Sequence, residues 1–306
     1  MLKKLTCLAA LIILVSFISF KAVFTVPSQV QLNTITNSNS NSNSNSNSNS
    51  NSNRTASSSL NEIGVAEHSC FTQSSPQSLD VSNGLSILVW NIYKQNKVNW
   101  QEALEELSKD RQLILLQEAS MTDELRSYIS SSEWRVNQVN AFEAFNTQAG
   151  VLNLASVLPI KACAYTHEEP WLQLPKSALW TLYQLSDGQK LAVVNIHSVN
   201  FTFGTEDYFE QLDVLTNQLL VHKGPIIFAG DFNSWSEARF TVLKGALKKV
   251  GLQEVTFEPD NRTQFVTGLP LDHVFYRGLE VKKTKAPISD ASDHNPLQVT
   301  FSAKVN

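Results

Sequence analysis

Cysteine is scarce in this chain: 306 residues contain three, Cys7, Cys70 and Cys163. At those separations they form neither a disulfide framework nor a zinc-site spacing, so a cysteine-stapled small domain and a zinc finger are both excluded. An exported chain has one bridge open to it, Cys70–Cys163; in a reducing compartment both residues stay thiols. Basic charge is also in deficit, with 24 Lys and Arg against 28 Asp and Glu, a formal net charge of −4 and a pI near 5.9. Residues 78–306 alone carry 20 basic and 26 acidic groups, a net of −6. No global basic field recruits nucleic acid, and a polyanionic substrate must meet a local basic patch or a metal ion. Long apolar runs are missing except at the N-terminus, which excludes a polytopic membrane protein. The cysteines are unclustered and HExxH and GxSxG motifs are absent, which argues against a zinc or cysteine hydrolase.

The one long apolar run, Leu5–Phe20, is free of charge and follows Lys3 and Lys4. A basic start followed by an apolar stretch is the pattern of a signal peptide or signal anchor. As a helix it spans about 24 Å, somewhat short of the ~30 Å hydrocarbon core, and Ala22–Val26 can extend it. No A-x-A cleavage site follows, so residues 1–26 are expected to stay as an anchor, with the rest of the chain outside the cytoplasm, on the periplasmic side in a bacterium. The alternative is a cytoplasmic protein whose N-terminal helix is buried in its core. From Asn37 to Asn53 the sequence repeats Asn-Ser eight times and adds one more Asn. With no apolar side chain to bury, residues 27–80 are expected to form a disordered Asn/Ser-rich linker with a reach of about 40 Å.

Residues 81–306 read as one compact domain. Leu85–Asn91, Arg111–Gln117, Trp134–Val139, Gly150–Val157, Ala178–Leu185, Leu191–Ile196, Ile226–Ala229, Asp272–Tyr276, Val281–Lys285 and Leu297–Phe301 are β-rich runs. Helical patterns cover Asn99–Lys109, Asp123–Ser130, Glu206–His222 and Glu237–Val250. Hairpins mixed with helical crossovers imply an α+β architecture: two packed mixed sheets flanked by helices, an α/β/β/α sandwich.

The chemistry gathers where apolar strands end. The run LSILVW ends at Asn91, LILLQ at Glu118, LAVVNI at His197 and IIFAG at Asp231, with Asn233 two residues on. Asp272 opens the run DHVF, and Asp293-His294 stands just before the last strand. One polar residue after a strand is ordinarily a turn or cap. Six such ends in one layered domain converge on a rim, where ligand sites collect.

WNIYK (90–94), LLQE (115–118), NIHS (195–198), GDFNSW (230–235), LDHVF (271–275) and SDHNP (292–296) resemble the endonuclease/exonuclease/phosphatase superfamily, the deoxyribonuclease I-like hydrolases. WNIYKQ also resembles a bacterial branch of it that brings no substrate with the resemblance. The likeness covers about residues 84–303 and implies the fold derived above. It further implies divalent-metal-dependent hydrolysis of phosphodiester or phosphomonoester bonds by in-line attack of an activated water. Asn91 and Glu118 fall on the family's positions for Mg²⁺ (or Mn²⁺), with Asp293 beside them; oxygen ligands of this kind suit a hard cation. Asp231 and Asn233 match the pair that orients the attacking water and contacts the phosphoryl group. His294 matches a carboxylate-paired histidine with Asp272 as partner, and His197 a second histidine facing the phosphate. Which histidine is base and which is clamp stays open at this level. The acidic residue that some nuclease branches carry two positions after Asn91 is missing here, and DNA-gripping arms are not evident. Lys94, Lys97 and the run Lys282–Lys285, which reads as a solvated edge strand, are the local positive groups. The substrate is thus a phosphate ester of undetermined kind: nucleic acid, phospholipid, or inositol or nucleotide phosphate. The competing reading is a catalytically inactive binding or scaffold domain of the same fold.

Overall fold

Strands that are apolar at nearly every position need cover on both faces, and that requirement builds the layers seen in the computed structural model, which describes residues 23–35 and 69–303. Nine strands form one sheet. They are β1 (Phe24–Thr25), β2 (Gln31–Ile35), β5 (Leu85–Asn91), β6 (Leu113–Ser120), β7 (Arg135–Asn140), β8 (Phe142–Ala144), β9 (Thr147–Ala155), β16 (Leu279–Lys285) and β17 (Leu297–Ala303). Eight form the other: β3 (Ser69–Thr72), β4 (Ser78–Leu79), β10 (Lys161–Glu168), β11 (Pro175–Leu185), β12 (Lys190–His197), β13 (Ile226–Asp231), β14 (Gln253–Glu254) and β15 (Asp272–Arg277). Helices α1 (Trp100–Leu107) and α2 (Asp123–Ser130) cover the first sheet, and α3 (Glu206–Leu220) and α4 (Glu237–Lys249) the second. This is the expected four-layer α+β sandwich.

Period-2 alternation sorts each strand between two cores. Leu85, Ile87 and Val89 of β5 meet Leu191 and Val193 of β12 and Ile227 and Ala229 of β13 between the sheets. Leu88 and Trp90 turn outward to α1 and α2, while Ala192, Val194, Ile196, Ile226 and Phe228 turn outward to α3 and α4. Asn91, His197 and Asp231 continue the inner rows of their strands, and Asp272 does so through Val274. β5 and β6 run parallel, as do β12 and β13, so their C-terminal ends coincide at one edge of the sandwich. Antiparallel β15 and β17 begin at that same edge.

The expected boundaries fail at the N-terminal side. Phe24 and Thr25 pair with β8, so the anchor segment does not run on as a helix to Val26. Gln31–Ile35 pairs with β7 over its whole length, and Ser69–Thr72 pairs with β10. Residues assigned to the linker are therefore sheet edges. Short edge strands such as QLNTI owe their place to partner backbone and to packing of Leu32 and Ile35 on the cores, not to an apolar pattern of their own. Cys70 and Cys163 sit opposite each other in the β3–β10 register and form a disulfide, Cα–Cα 4.1 Å. The apolar run Leu5–Phe20 and the Asn-Ser repeat lie outside the described residues.

Deleting residues 1–77 should consequently destabilise the protein, because it strips β1, β2 and β3 and the bridge. A fall in melting temperature on the order of 5–15 °C is expected by calorimetry. An unchanged midpoint would mean these strands contribute nothing to the fold.

Candidate active site

Glu118 should face outward, since Leu113, Leu115 and Gln117 of β6 point in. A bulge corrects this. The pairing of β6 with β9 shifts between Leu116 and Ala119, and Glu118 adopts φ +51, a left-handed conformation unusual for a glutamate. Bulges of this kind re-aim a side chain at a local cost of roughly 1–3 kcal/mol. The result brings Glu118 Oε1 to 3.7 Å from His197 Nε2. Asn233, φ +47, is bent the same way just after β13. Gly230 prepares that bend: a Cβ there would lie 2.0 Å from Ile196 O, so only glycine lets β13 close on β12 before Asp231.

From His197 the site is continuous. Its Nε2 lies 3.6 Å from Asp231 Oδ2, which accepts a hydrogen bond from Asn91 Nδ2 at 3.0 Å and stands 3.9 Å from His294 Nε2. His294 Nδ1 meets Asp272 Oδ2 at 2.7 Å. Asn233 receives Asp231 Oδ1 on its backbone N–H at 2.9 Å and donates one amide hydrogen to Ser198 O at 2.9 Å. The structure therefore gathers Asn91, Glu118, His197, Asp231, Asn233, Asp272 and His294 on one rim. Asp293 stands exposed there, accepting from Ser292 Oγ at 3.3 Å. The signature pieces also hold each other: Trp90 Nε1 donates to His294 O, and Ser292 Oγ to Asn91 O.

Charge is unevenly held. Burial pushes His197 well below the ordinary histidine range, and the neighbouring cations Lys176 and Lys94 push it the same way, so the ring is neutral. Burial alone would lower His294 too, but the carboxylates of Asp272, Asp231 and Asp293 outweigh it and raise it to about 10. Burial raises Asp231, against the pull of His294. A raised histidine stabilises the fold fully below its unfolded value near 6.5, and that contribution is lost as pH climbs towards 10. In metal-free protein, Asp272→Asn should lower the NMR titration midpoint of the His294 ring by roughly 1–3 units. A midpoint unmoved by the substitution would deny Asp272 this influence.

Several working residues carried no sequence signal. Lys176 is the second residue of β11, and its ammonium lies 3.0 Å from His197 Nε2; only register brings it there. Lys94, noted merely as a local cation, reaches back to pair with Glu118. It does so from a left-handed turn, Tyr93–Gln95, started by Asn91 Oδ1 accepting from Tyr93 N at 3.1 Å. Gln95 then bonds both backbone groups of Ser120. Behind Asn233, the buried guanidinium of Arg239 donates to Asn233 O and to Val199 O and Asn200 O.

Two groupings offer ligands to a cation. The ligand atoms of Asp231, Asp272 and His294 lie within 4.8 Å of one another, but Asp272 and the protonated His294 ring are already spent on each other. Asn91 and Glu118 supply oxygens only, and the counter-charge on Glu118 is a half-exposed lysine able to swing away. That donor set fits a small hard ion such as Mg²⁺.

Known proteins share this architecture. The human Nocturnin catalytic domain with bound sulfate superposes with a TM-score of 0.58 at 18% identity, covering 75% of this chain and 98% of that one. D. rerio TDP2 complexed with single strand DNA product gives 0.56 at 18%, covering 72% and 100%. At such identities the likeness establishes the two-sheet fold. Among sequence relatives, a UPF0294 protein of Vibrio campbellii is 53% identical over 301 residues, 98% of each chain. One from Yersinia pseudotuberculosis is 45% identical over 225 residues, 74% of this chain and 86% of its own. The family description Endonuclease/Exonuclease/phosphatase matches residues 88–294, a span that begins inside β5 and ends on His294. By that match the chain belongs to the endonuclease/exonuclease/phosphatase family.

Proposed function

We propose that the protein is a Mg²⁺-dependent phosphoesterase (Mn²⁺ serving as well) that hydrolyses phosphate esters by in-line attack of water. The observation that carries this reading is the unbroken chain of contacts from Glu118 through His197, Asp231 and Asn91 to the Asp272–His294 pair. Asp231, raised by burial, is the acceptor for the water proton: a base is most effective when its affinity for protons approaches that of the medium. The water oxygen bonds to phosphorus as the ester P–O bond breaks, and the alcohol leaves. His294, charged on Nε2, and the free amide hydrogen of Asn233 face the phosphoryl oxygens as fixed donors. On this reading His294, a ring protonated at neutral pH, is the clamp and not the base. The leaving oxygen takes its proton from the pair formed by Lys176 and His197. An ion held by Glu118 and Asn91, with Asp293 through water, would add positive charge where the ester oxygens accumulate negative charge.

The apolar run after Lys3 and Lys4, together with the Cys70–Cys163 disulfide, supports export or anchoring with the domain outside the cytoplasm. Among the described residues no helix is long and apolar enough to cross a membrane. That leaves Leu5–Phe20 as the segment to test.

The deciding experiment offers the full chain bis-p-nitrophenyl phosphate with Mg²⁺, then removes the metal with EDTA. Turnover that vanishes with EDTA and returns with Mg²⁺ is expected. Full activity after exhaustive chelation would sink the metal-dependent reading, and no turnover of any ester would favour the scaffold reading.

A further inference from the structure

The two ends of the sandwich differ in their loops. At the end opposite the site the connections Ser82-Asn83-Gly84, Lys109-Asp110 and Asp187-Gly188 are polar turns, and among the described residues the large apolar side chains exposed there are Leu220 and Val221, where α3 finishes. At the site end the loops carry bare apolar side chains at their tips: Val98, Phe145, Trp171, Phe203, Val266 and Ile288. Val98 and Val266 are more than nine-tenths exposed, at 99% and 92%. Scattered surface hydrophobes are ordinary, but their concentration on one face marks an interaction surface.

These tips are held out by structure. Glu169, itself buried, accepts from the backbone N–H groups of Asn200 and Phe201 at 2.6 Å each, tying the Trp171 loop to the Phe203 loop. The Trp171 and Phe203 rings meet at 4.6 Å between centroids. Trp235 Nε1 bonds Asn200 Oδ1 at 2.9 Å and its ring leans on Phe265, beside Val266, at 5.8 Å.

Where the chain enters the domain identifies what covers this face. The apolar run Leu5–Phe20 ends three residues before Val23, and Val23 O accepts from the backbone N–H of Phe145, one of the exposed tips. Val26, Pro27 and Val30 line a pocket with Glu168 and Pro175, the two residues that bracket the Trp171 loop. The described chain therefore begins, at Val23, on the face that carries the tips. Charge narrows the occupant further. Glu168, Glu206, Asp290 and Asp293 are exposed around this end with Lys97 and Lys285 among them, a fringe of mixed sign in which carboxylates outnumber amines, which suits a zwitterionic headgroup better than a polyanion. Lys94 and Lys176 stand at the site itself, against Glu118 and His197, where a phosphate would meet them.

We propose that the site-bearing end is a membrane-docking face, and that the ester it receives is the headgroup phosphodiester of a zwitterionic phospholipid. The second half rests on the phosphoesterase reading; the docking does not.

The test places the full chain in phosphatidylcholine vesicles with or without bromine on the acyl chains, and reads tryptophan emission. Two variants each add one reporter: Val266→Trp at the site end, and Leu220→Trp at the opposite end, where α3 finishes. Bromine should quench at least half of the emission added by Val266→Trp and leave that of Leu220→Trp unchanged. Equal quenching of both, or of neither, with flotation showing the protein on the vesicles, overturns the docking face. So does quenching of the Val266→Trp emission by a single-stranded oligonucleotide when vesicles have no effect. As a second measurement, Trp171→Ser with Phe203→Ser should slow hydrolysis of vesicular phospholipid at least tenfold while bis-p-nitrophenyl phosphate turnover stays within twofold. Equal loss on both substrates would show that the tips serve the fold and not the bilayer. Failure of the wild-type protein to hydrolyse any ester would strike the phosphoesterase reading alone, because the quenching needs no turnover.

Discussion

Replacing His294 by alanine should lower kcat by a factor on the order of 10²–10⁴, the range for a positioned acid, base or charged donor. Asp272→Asn should cost less, because Trp90 still holds the backbone of His294 while the ring loses the carboxylate that keeps it charged. The two losses should not add. Asp272 Oδ2 is spent on His294 Nδ1 at 2.7 Å. Its other oxygen, buried, has no hydrogen-bond partner among the described residues. Asp272 thus acts through the ring. Once the ring is gone, removing the carboxylate should change little, giving a coupling energy of roughly 1–3 kcal/mol in a double-mutant cycle. Fully additive losses in variants with native circular dichroism would separate the two residues, and Asp272 would be reassigned as a ligand or strand-end cap.

Glu118→Gln should lower turnover at fixed low Mg²⁺ by a factor on the order of 10²–10³. Gln keeps the shape and one carbonyl oxygen but loses the negative charge that a hard cation needs most. High Mg²⁺ should recover part of the rate, so the loss appears as a raised half-saturating metal concentration. Lys94→Ala should move that concentration the opposite way, because the ammonium that now neutralises Glu118 is removed. An unaltered metal requirement in the glutamine variant would take Glu118 out of the binding site. Because Glu118 sits on the bulge, the measurement needs a check that β6 keeps its register; a melting temperature within a few degrees of wild type suffices.

Most of the fold was legible because its central strands are buried on both faces and read as continuous apolar runs. Asn91, His197, Asp231 and Asp272 could be found for the same reason: each ends or begins such a run in phase with its inner face. Glu118 was found by its motif although strand alternation would have turned it away, since the bulge leaves no mark in LLQEAS. β10 went unread because Ala162, Cys163 and Ala164 are small and its second half is Thr-His-Glu. Its place is fixed by β3 on one side and β11 on the other. Lys176 belongs to the same class: nothing about PKSALW marks its lysine, and only the β11–β12 register carries it to His197. Local sequence records what a residue must bury; what it meets across a sheet is decided by partners far along the chain.

The pairing of β2 with β7 and of β3 with β10 changes what the Asn-Ser repeat is for. Both of its flanks are fastened to the sandwich, one to each sheet, so the repeat does not set how far the domain stands from anything. It joins two fixed points. The closure cost of such a span grows only logarithmically, about 0.6 kcal/mol for each doubling of length. Adding or removing one Asn-Ser unit should therefore matter far less to folding than a change in β2, β3 or the bridge between Cys70 and Cys163.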